Sequence, residues 1–232
     1  VTEPGLSWSA RRREFVAAGA ATTILVAAGG LLARYRVEDC AWTTVHDGYG
    51  AVTCAAEQVR LVPQAPSVPE ETHAALAIHT GVVVQEGGTT SFSTSVLTTS
   101  QLRRGSDPNP WEVAWLLWCY TDDLHFYALV LKPNGWELSK EDPAYPGAQR
   151  FLASSSEPTF PTGTSYQVEV TVVSQPGATQ MSVSVDGQPL VTATDDQDPY
   201  PSGQVAAYSE DADATFGPLT RVPAPQTPDQ TQ

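Results

Sequence analysis

The chain has 232 residues, 41% of them hydrophobic and 16% charged, with a formal net charge of −14. That length holds one domain of ordinary to large size, and the hydrophobic share supplies a packed core and excludes global disorder. From Val37 onward 7 Lys and Arg stand against 24 Asp and Glu, a net of −17, so nucleic acid and anionic membranes, which need a basic footprint, are excluded as partners.

The first element in chain order is Arg11-Arg12-Arg13, followed by the uncharged run FVAAGAATTILVAAGGLLA from Phe15 to Ala33. This is the charged-then-apolar order of an export signal. Arg12-Arg13-Glu14-Phe15-Val16 resembles the twin-arginine pattern, with Arg11 where Ser or Thr is more usual. The resemblance implies export of an already folded domain and a secreted or cell-surface location. Residues 1–36 are therefore expected to be a signal peptide or a signal anchor. Small residues at Gly30-Leu31-Leu32-Ala33 favour cleavage. A membrane is a partner only if the run is retained, because its 19 residues approach the length that spans a bilayer.

Three cysteines follow, Cys40, Cys54 and Cys119. In an oxidising compartment Cys40 and Cys54 are expected to pair if their strands lie side by side. Cys119, inside WEVAWLLWCY, reads as a buried small hydrophobe, and the spacing has no C-x-x-C that would suggest zinc.

After residue 37 no segment sustains helical periodicity. Short runs rich in Val, Thr, Tyr, Phe and Trp recur between Gly, Pro, Asn, Asp and Ser, which predicts strands near 50–54, 58–62, 74–79, 91–99, 112–120, 125–132, 136–140, 166–173, 180–186, 189–194, 203–208 and 213–221. Their number and spacing predict an all-β, two-sheet antiparallel sandwich over 37–222. Asn134-Gly135 and Asp186-Gly187 suit tight hairpin turns. PQAPSVPEET at 63–72 is a Pro-rich connection, and the Pro- and Gln-rich tail from 223 to 232 is expected to be disordered.

FSTSVLTTSQLR at 92–103, WEVAWLLWCY with HFYALVLK, VEVTVVSQPGATQMSVSVDGQPLVTA, and GQVAAYSEDADATFGPL at 203–219 together resemble the concanavalin A-like lectin and glucanase jelly roll. The likeness is greatest to laminin-G-like modules and the family 16-like domains of 3-keto-disaccharide hydrolases. It covers roughly residues 40 to 222. It implies a jelly roll that handles carbohydrate, and it specifies fold better than chemistry.

A glycan-handling face needs flat rings and polar groups that pair with hydroxyls. The candidates for binding are Arg103, Trp118, Tyr120, Tyr127, Lys132, Trp136 and Gln149. Alternation puts Trp111, Trp115 and Cys119 on one face of their strand and Glu112, Trp118 and Tyr120 on the other. The charge on Glu112 makes the second face the candidate for the open side. A two-residue Asn134-Gly135 loop would set Lys132 opposite Glu137, either as an ordinary surface ion pair or as part of a site.

For hydrolysis the candidates are the carboxylates of Glu112 and Glu137 with His125 as proton carrier, although the E-x-D-x-x-E strand of family 16 is absent. A non-catalytic adhesion or protein-interaction module is the alternative. A polysaccharide lyase ranks third and would use Tyr127, His125 and Arg103. The resemblance also implies a structural Ca2+, with Asp213 in the matching last strand. The expected partner is a polysaccharide bound by a monomer.

Overall fold

Fifteen β-strands and no helix make up residues 40–222, the part of the chain that the computed structural model describes. The export segment and the tail expected to be disordered lie outside the described residues. Seven strands form one sheet in the order β1 (Trp42–His46), β4 (Ala74–Val84), β13 (Gly203–Glu210), β6 (Ala114–Asp122), β7 (His125–Lys132), β8 (Gly135–Glu141) and β9 (Gln149–Ser155). The second sheet runs β12 (Gln188–Asp195), β11 (Ala178–Val185), β10 (Ser165–Gln175), β5 (Thr89–Gln101), β14 (Ala212–Phe216), β3 (Gln58–Val62) and β2 (Ala51–Ala55), with β15 (Thr220–Arg221) also paired to β5. Every pairing is antiparallel. The architecture is the two-sheet antiparallel sandwich that the strand pattern predicts, in the jelly-roll form that the resemblance implies.

Period-two alternation explains where the core sits. Val168, Val170 and Val172 of β10 and Met181, Val183 and Val185 of β11 turn one face inward, and they join Leu116, Trp118, Leu129 and Leu138 of the other sheet in one buried cluster. The intervening Glu169, Ser182 and Ser184 leave the second sheet with a polar outer face. The central strands of the first sheet differ, being apolar on both sides. Trp115, Leu117, Ala128 and Val130 alternate with the core residues and form a second buried cluster on the outer face with Leu76 and Tyr208.

Two local features correct the reading of β6. Trp118 packs in the core between the sheets, fully buried, so the face it marks is not the open one. A bulge between Trp118 and Asp122, with Cys119 at φ +52°, lets Cys119 also face the core and returns Tyr120 to the outer face beside Trp115 and Leu117. The bulge presses on β13. A Cβ on Gly203 would sit 2.4 Å from the Cys119 carbonyl carbon, so only glycine fits there.

The hairpin from β7 to β8 is one pair out of the expected register. Lys132 is opposite Gly135 and Val130 opposite Glu137, so the turn residues are Pro133 and Asn134. Pro133 supplies the φ that the first turn position needs, and Gly135 belongs to the strand. Its backbone abuts Ser155 of β9, where a Cβ would lie 2.1 Å from the carbonyl oxygen. The Asp186-Gly187 turn forms as expected, with both residues at positive φ and Val185 paired to Gln188. Cys40 and Cys54 are joined by a disulfide, with Cα atoms 6.0 Å apart. Cys119 is a buried free thiol whose ionisation burial disfavours.

Candidate functional site on the outer face of the seven-stranded sheet

Strand register maps the outer face in rows. One row runs His46, Leu76, Tyr208, Trp115, Val130, Glu137 and Ser154 from β1 to β9. The next runs Thr43, Ile78, Ala206, Leu117, Ala128, Ser139 and Phe151. Beyond it Phe126, Glu141 and Gln149 stand side by side. The face is therefore apolar over β4, β13, β6 and β7, and becomes polar at β8 and β9.

Phe151 stands out in the polar half. It is 49% exposed on an edge strand, opposite Ser139 and two residues from Gln149. The Gln149 amide donates to Ser139 Oγ at 3.3 Å. Lys132 donates to Glu137, reaching it diagonally across the hairpin, and the two side chains are 12% and 15% exposed. An accessible ring flanked by an amide and a carboxylate can stack on a sugar face while hydrogen-bonding its hydroxyls.

Of the sequence-predicted residues, Tyr120, Lys132, Glu137 and Gln149 lie on this face. Tyr120 sits at its far end, stacked on Phe126 and donating to Asp123 Oδ1 at 2.9 Å. Trp118, Tyr127 and Trp136 belong to the core cluster. Trp136 donates Nε1–H to the Glu157 carbonyl at 3.0 Å, while Trp118 Nε1 is buried without a partner. His125 lies at the opposite end of β7 from the Lys132–Glu137 pair, with Nδ1 2.8 Å from Asp122 Oδ1 and its ring edge-on to Tyr200.

Arg103 and Glu112 are sealed elsewhere. Arg103 donates Nε–H to Glu112 Oε1 at 2.5 Å and Nη2–H to Asp211 Oδ2 at 2.8 Å. Its remaining N–H groups reach the Val68, Pro69 and Glu71 carbonyls. Glu112 also accepts from Asn109 at 2.6 Å, and its Oε2 is buried without a partner. Asp211, at φ +46°, is where the chain leaves β13 in one sheet and enters β14 in the other. Its carboxyl accepts from the His73 amide, and burial raises it to about 7. The cluster locks that crossing.

A second buried network holds the other end of the sandwich. Asp195 accepts from the Tyr127 hydroxyl at 2.7 Å, from Arg150, from the Gln197 amide at 3.1 Å, and from Lys140 at 3.1 Å. Burial favours the neutral acid, but these donors outweigh it and hold Asp195 below the usual carboxylate range. Burial and the Asp195 charge push the Tyr127 hydroxyl well up. Lys140 is spent on the Gln197 and Asp198 carbonyls and lies over the Tyr200 ring.

The carboxylates do not make a hydrolytic pair. Glu112 and Glu137, the predicted hydrolytic carboxylates, are not brought together: Glu112 is sealed against Arg103, while Glu137 is paired with Lys132 on the outer face. Of the lyase candidates, His125 and Tyr127 both pack against Tyr200, whereas Arg103 is sealed elsewhere against Glu112 and Asp211. Asp213 does not fit a calcium site, since Arg60 binds both its oxygens at 2.8 and 2.6 Å. Among the described residues no group of three or more metal-ligating side chains occurs.

The fold has known counterparts. The carbohydrate-binding module CBM66 from Bacillus subtilis superposes with a TM-score of 0.54 at 14% identity, covering 79% of this chain and 96% of that one. Peanut lectin gives 0.48 at 9% identity over 82% and 96%, and the exoplasmic domain of VIP36, in a Ca2+ and mannose-glycan complex, 0.46 at 12% over 82% and 86%. No family model and no curated protein matches the sequence. At this identity the likeness concerns the fold alone, a jelly-roll β-sandwich.

Phe151, with the strand that carries it, is the element of the site that sequence reasoning passed over. The signal was present in QRFLA, where a ring stands two residues after Gln149 in a short polar strand.

Proposed function

We propose that this chain is an exported carbohydrate-recognition module that binds an extracellular polysaccharide at the β8–β9 half of its outer sheet face, by stacking on Phe151 and hydrogen bonding to Gln149 and Glu137. The observation that carries the reading is the exposed Phe151 ring beside those polar groups. The jelly-roll fold shared with a carbohydrate-binding module adds support. Recognition without cleavage is favoured over hydrolysis, because Glu112 is sealed against Arg103 and Glu137 is held by Lys132. Export is supported by Arg12-Arg13-Glu14-Phe15-Val16 and by the Cys40–Cys54 disulfide, which persists in oxidising compartments.

The test is affinity electrophoresis of the full chain through gels loaded with a panel of neutral and acidic polysaccharides, with reducing ends assayed in parallel. Retardation without new reducing ends is expected. New reducing ends that disappear in Glu137→Gln would replace binding by hydrolysis. The absence of retardation on every polymer would move the function to a protein partner.

A further inference from the structure

Among the described residues the exposed aromatic rings are those of Tyr49, Tyr145 and Phe151, and the last two belong to one hairpin. Tyr145 is 45% exposed in the connection between β8 and β9. The sequence fixes it there with two consecutive turns. Asp142-Pro143-Ala144-Tyr145 is closed by the Tyr145 amide donating to the Asp142 carbonyl at 3.0 Å, with proline at the second position as such a turn favours. Tyr145-Pro146-Gly147-Ala148 is closed by the Ala148 amide donating to the Tyr145 carbonyl at 2.8 Å, with proline second and Gly147 third at φ +87°. The Asp142 amide donates to the Ala148 carbonyl at 2.8 Å across the base of the loop, and the Asp142 carboxylate accepts from the Ala144 amide at 3.0 Å.

These prolines and hydrogen bonds hold a ring that the fold itself does not use. Among the described residues no other ring stacks on Tyr145 and no group hydrogen-bonds its hydroxyl. Gln149, between the two rings in sequence, gives its amide nitrogen to Ser139 Oγ at 3.3 Å, and its carbonyl oxygen accepts from no described residue. An aromatic side chain whose backbone is already ordered loses little freedom when a ligand covers it, so its contact area converts efficiently into affinity.

We infer that the ligand of this hairpin is an uncharged polysaccharide chain that lies along it, with Tyr145 as a second stacking platform beyond Phe151; the inference rests on carbohydrate recognition at Phe151. Spacing makes the ligand a chain. Phe151 is two strand residues, about 7 Å, from Gln149, and the loop that carries Tyr145 lies beyond Gln149, so a single sugar ring does not reach both platforms. Charge makes the ligand neutral. The Lys and Arg residues from β7 to β9 are Lys132, Lys140 and Arg150, and each is held by carboxylates: Lys132 by Glu137, Lys140 by Asp142 and Asp195, and Arg150 by Asp195. A uronate or sulfate group would find none of them free, and the acidic domain around the hairpin repels polyanions. Sugar hydroxyls, by contrast, meet the open Gln149 carbonyl oxygen and the Tyr145 hydroxyl.

Affinity electrophoresis of the full chain tests this in gels carrying hydroxyethylcellulose, galactomannan or arabinoxylan, which are neutral, and alginate or polygalacturonate, which are acidic. Each gel is run at low salt and at about 0.5 M NaCl, where exposed charges are largely screened. Retardation by a neutral polymer at both salt levels, with none by the acidic polymers, is expected. On that neutral polymer Tyr145→Ala should weaken binding about three- to tenfold, the worth of one aromatic contact, at an unchanged melting temperature. Tyr145→Phe, which keeps the ring, should retain most of the affinity.

Retardation by alginate or polygalacturonate that fades at high salt would overturn the uncharged ligand and leave recognition at Phe151 standing. Tyr145→Ala bound as tightly as the unaltered chain, where Phe151→Ala has lost affinity, would overturn the second platform and again leave the first. No retardation by any of the polymers would overturn this inference together with the carbohydrate reading.

Discussion

Two acid–base pairs built from similar residues, Arg103–Glu112 and Lys132–Glu137, take opposite parts in this molecule. Arg103 and Glu112 are 2% and 0% exposed and share donors and acceptors with Asp211 and the 68–71 backbone. Lys132 and Glu137 make a partly open pair at the margin of an accessible ring. The difference teaches that residue type gives no role here. The number of fixed partners and the access of water decide which carboxylate locks a strand crossing and which can meet a ligand.

The largest expected effect comes from breaking the sealed pair. Arg103→Met leaves two carboxylates buried without their cation and should cost about 3–5 kcal/mol of stability, measured by urea unfolding. A loss below about 1 kcal/mol, the range of surface pairs, would erase the distinction.

Next in size is a pH effect confined to the sealed side. Because burial raises Asp211 to about 7 in the folded chain, the folded state holds that proton more tightly than the unfolded state. Its stabilising contribution is complete below the unfolded value of about 3.9 and is lost as pH rises through about 7, with a slope of up to about 1.4 kcal/mol per pH unit. Asp211→Asn should flatten thermal stability between about pH 4 and 7. Glu137→Gln should leave that profile unchanged.

On the open side, Glu137→Gln should cost no more than about 1 kcal/mol of stability while weakening polysaccharide retardation. The smallest effect belongs to Asp213. Arg60 is 55% exposed, so Arg60→Ala should change stability by about 0–1 kcal/mol. With both Asp213 oxygens engaged by Arg60, adding calcium or chelator should not shift the melting temperature of the unaltered chain.

Much of the fold was legible because alternation and turn chemistry are local. The valines of β10 and β11 and the Asp186-Gly187 turn carry their own instructions. β1 and β9 escaped notice because edge strands such as WTTVH and QRFLASS bury little and show no clean apolar period.

The site was harder to read for a related reason. A single bulged residue, Cys119, reverses which side of β6 each later side chain faces, so Trp118 and Tyr120 part company. No periodicity argument registers that shift. The sealing of Arg103 against Glu112 and Asp211 depends on three segments distant in sequence, and nothing local to any of them reveals it.

The central claim, that the β8–β9 half of the outer face takes the ligand through Phe151, is tested most directly by comparing the unaltered chain with Phe151→Ala on whichever polysaccharide retards it. The account predicts about a tenfold weaker affinity, the equivalent of about 1.4 kcal/mol, a loss in keeping with one exposed aromatic contact, with an unchanged melting temperature. Undiminished retardation by Phe151→Ala at an unchanged melting temperature would contradict it.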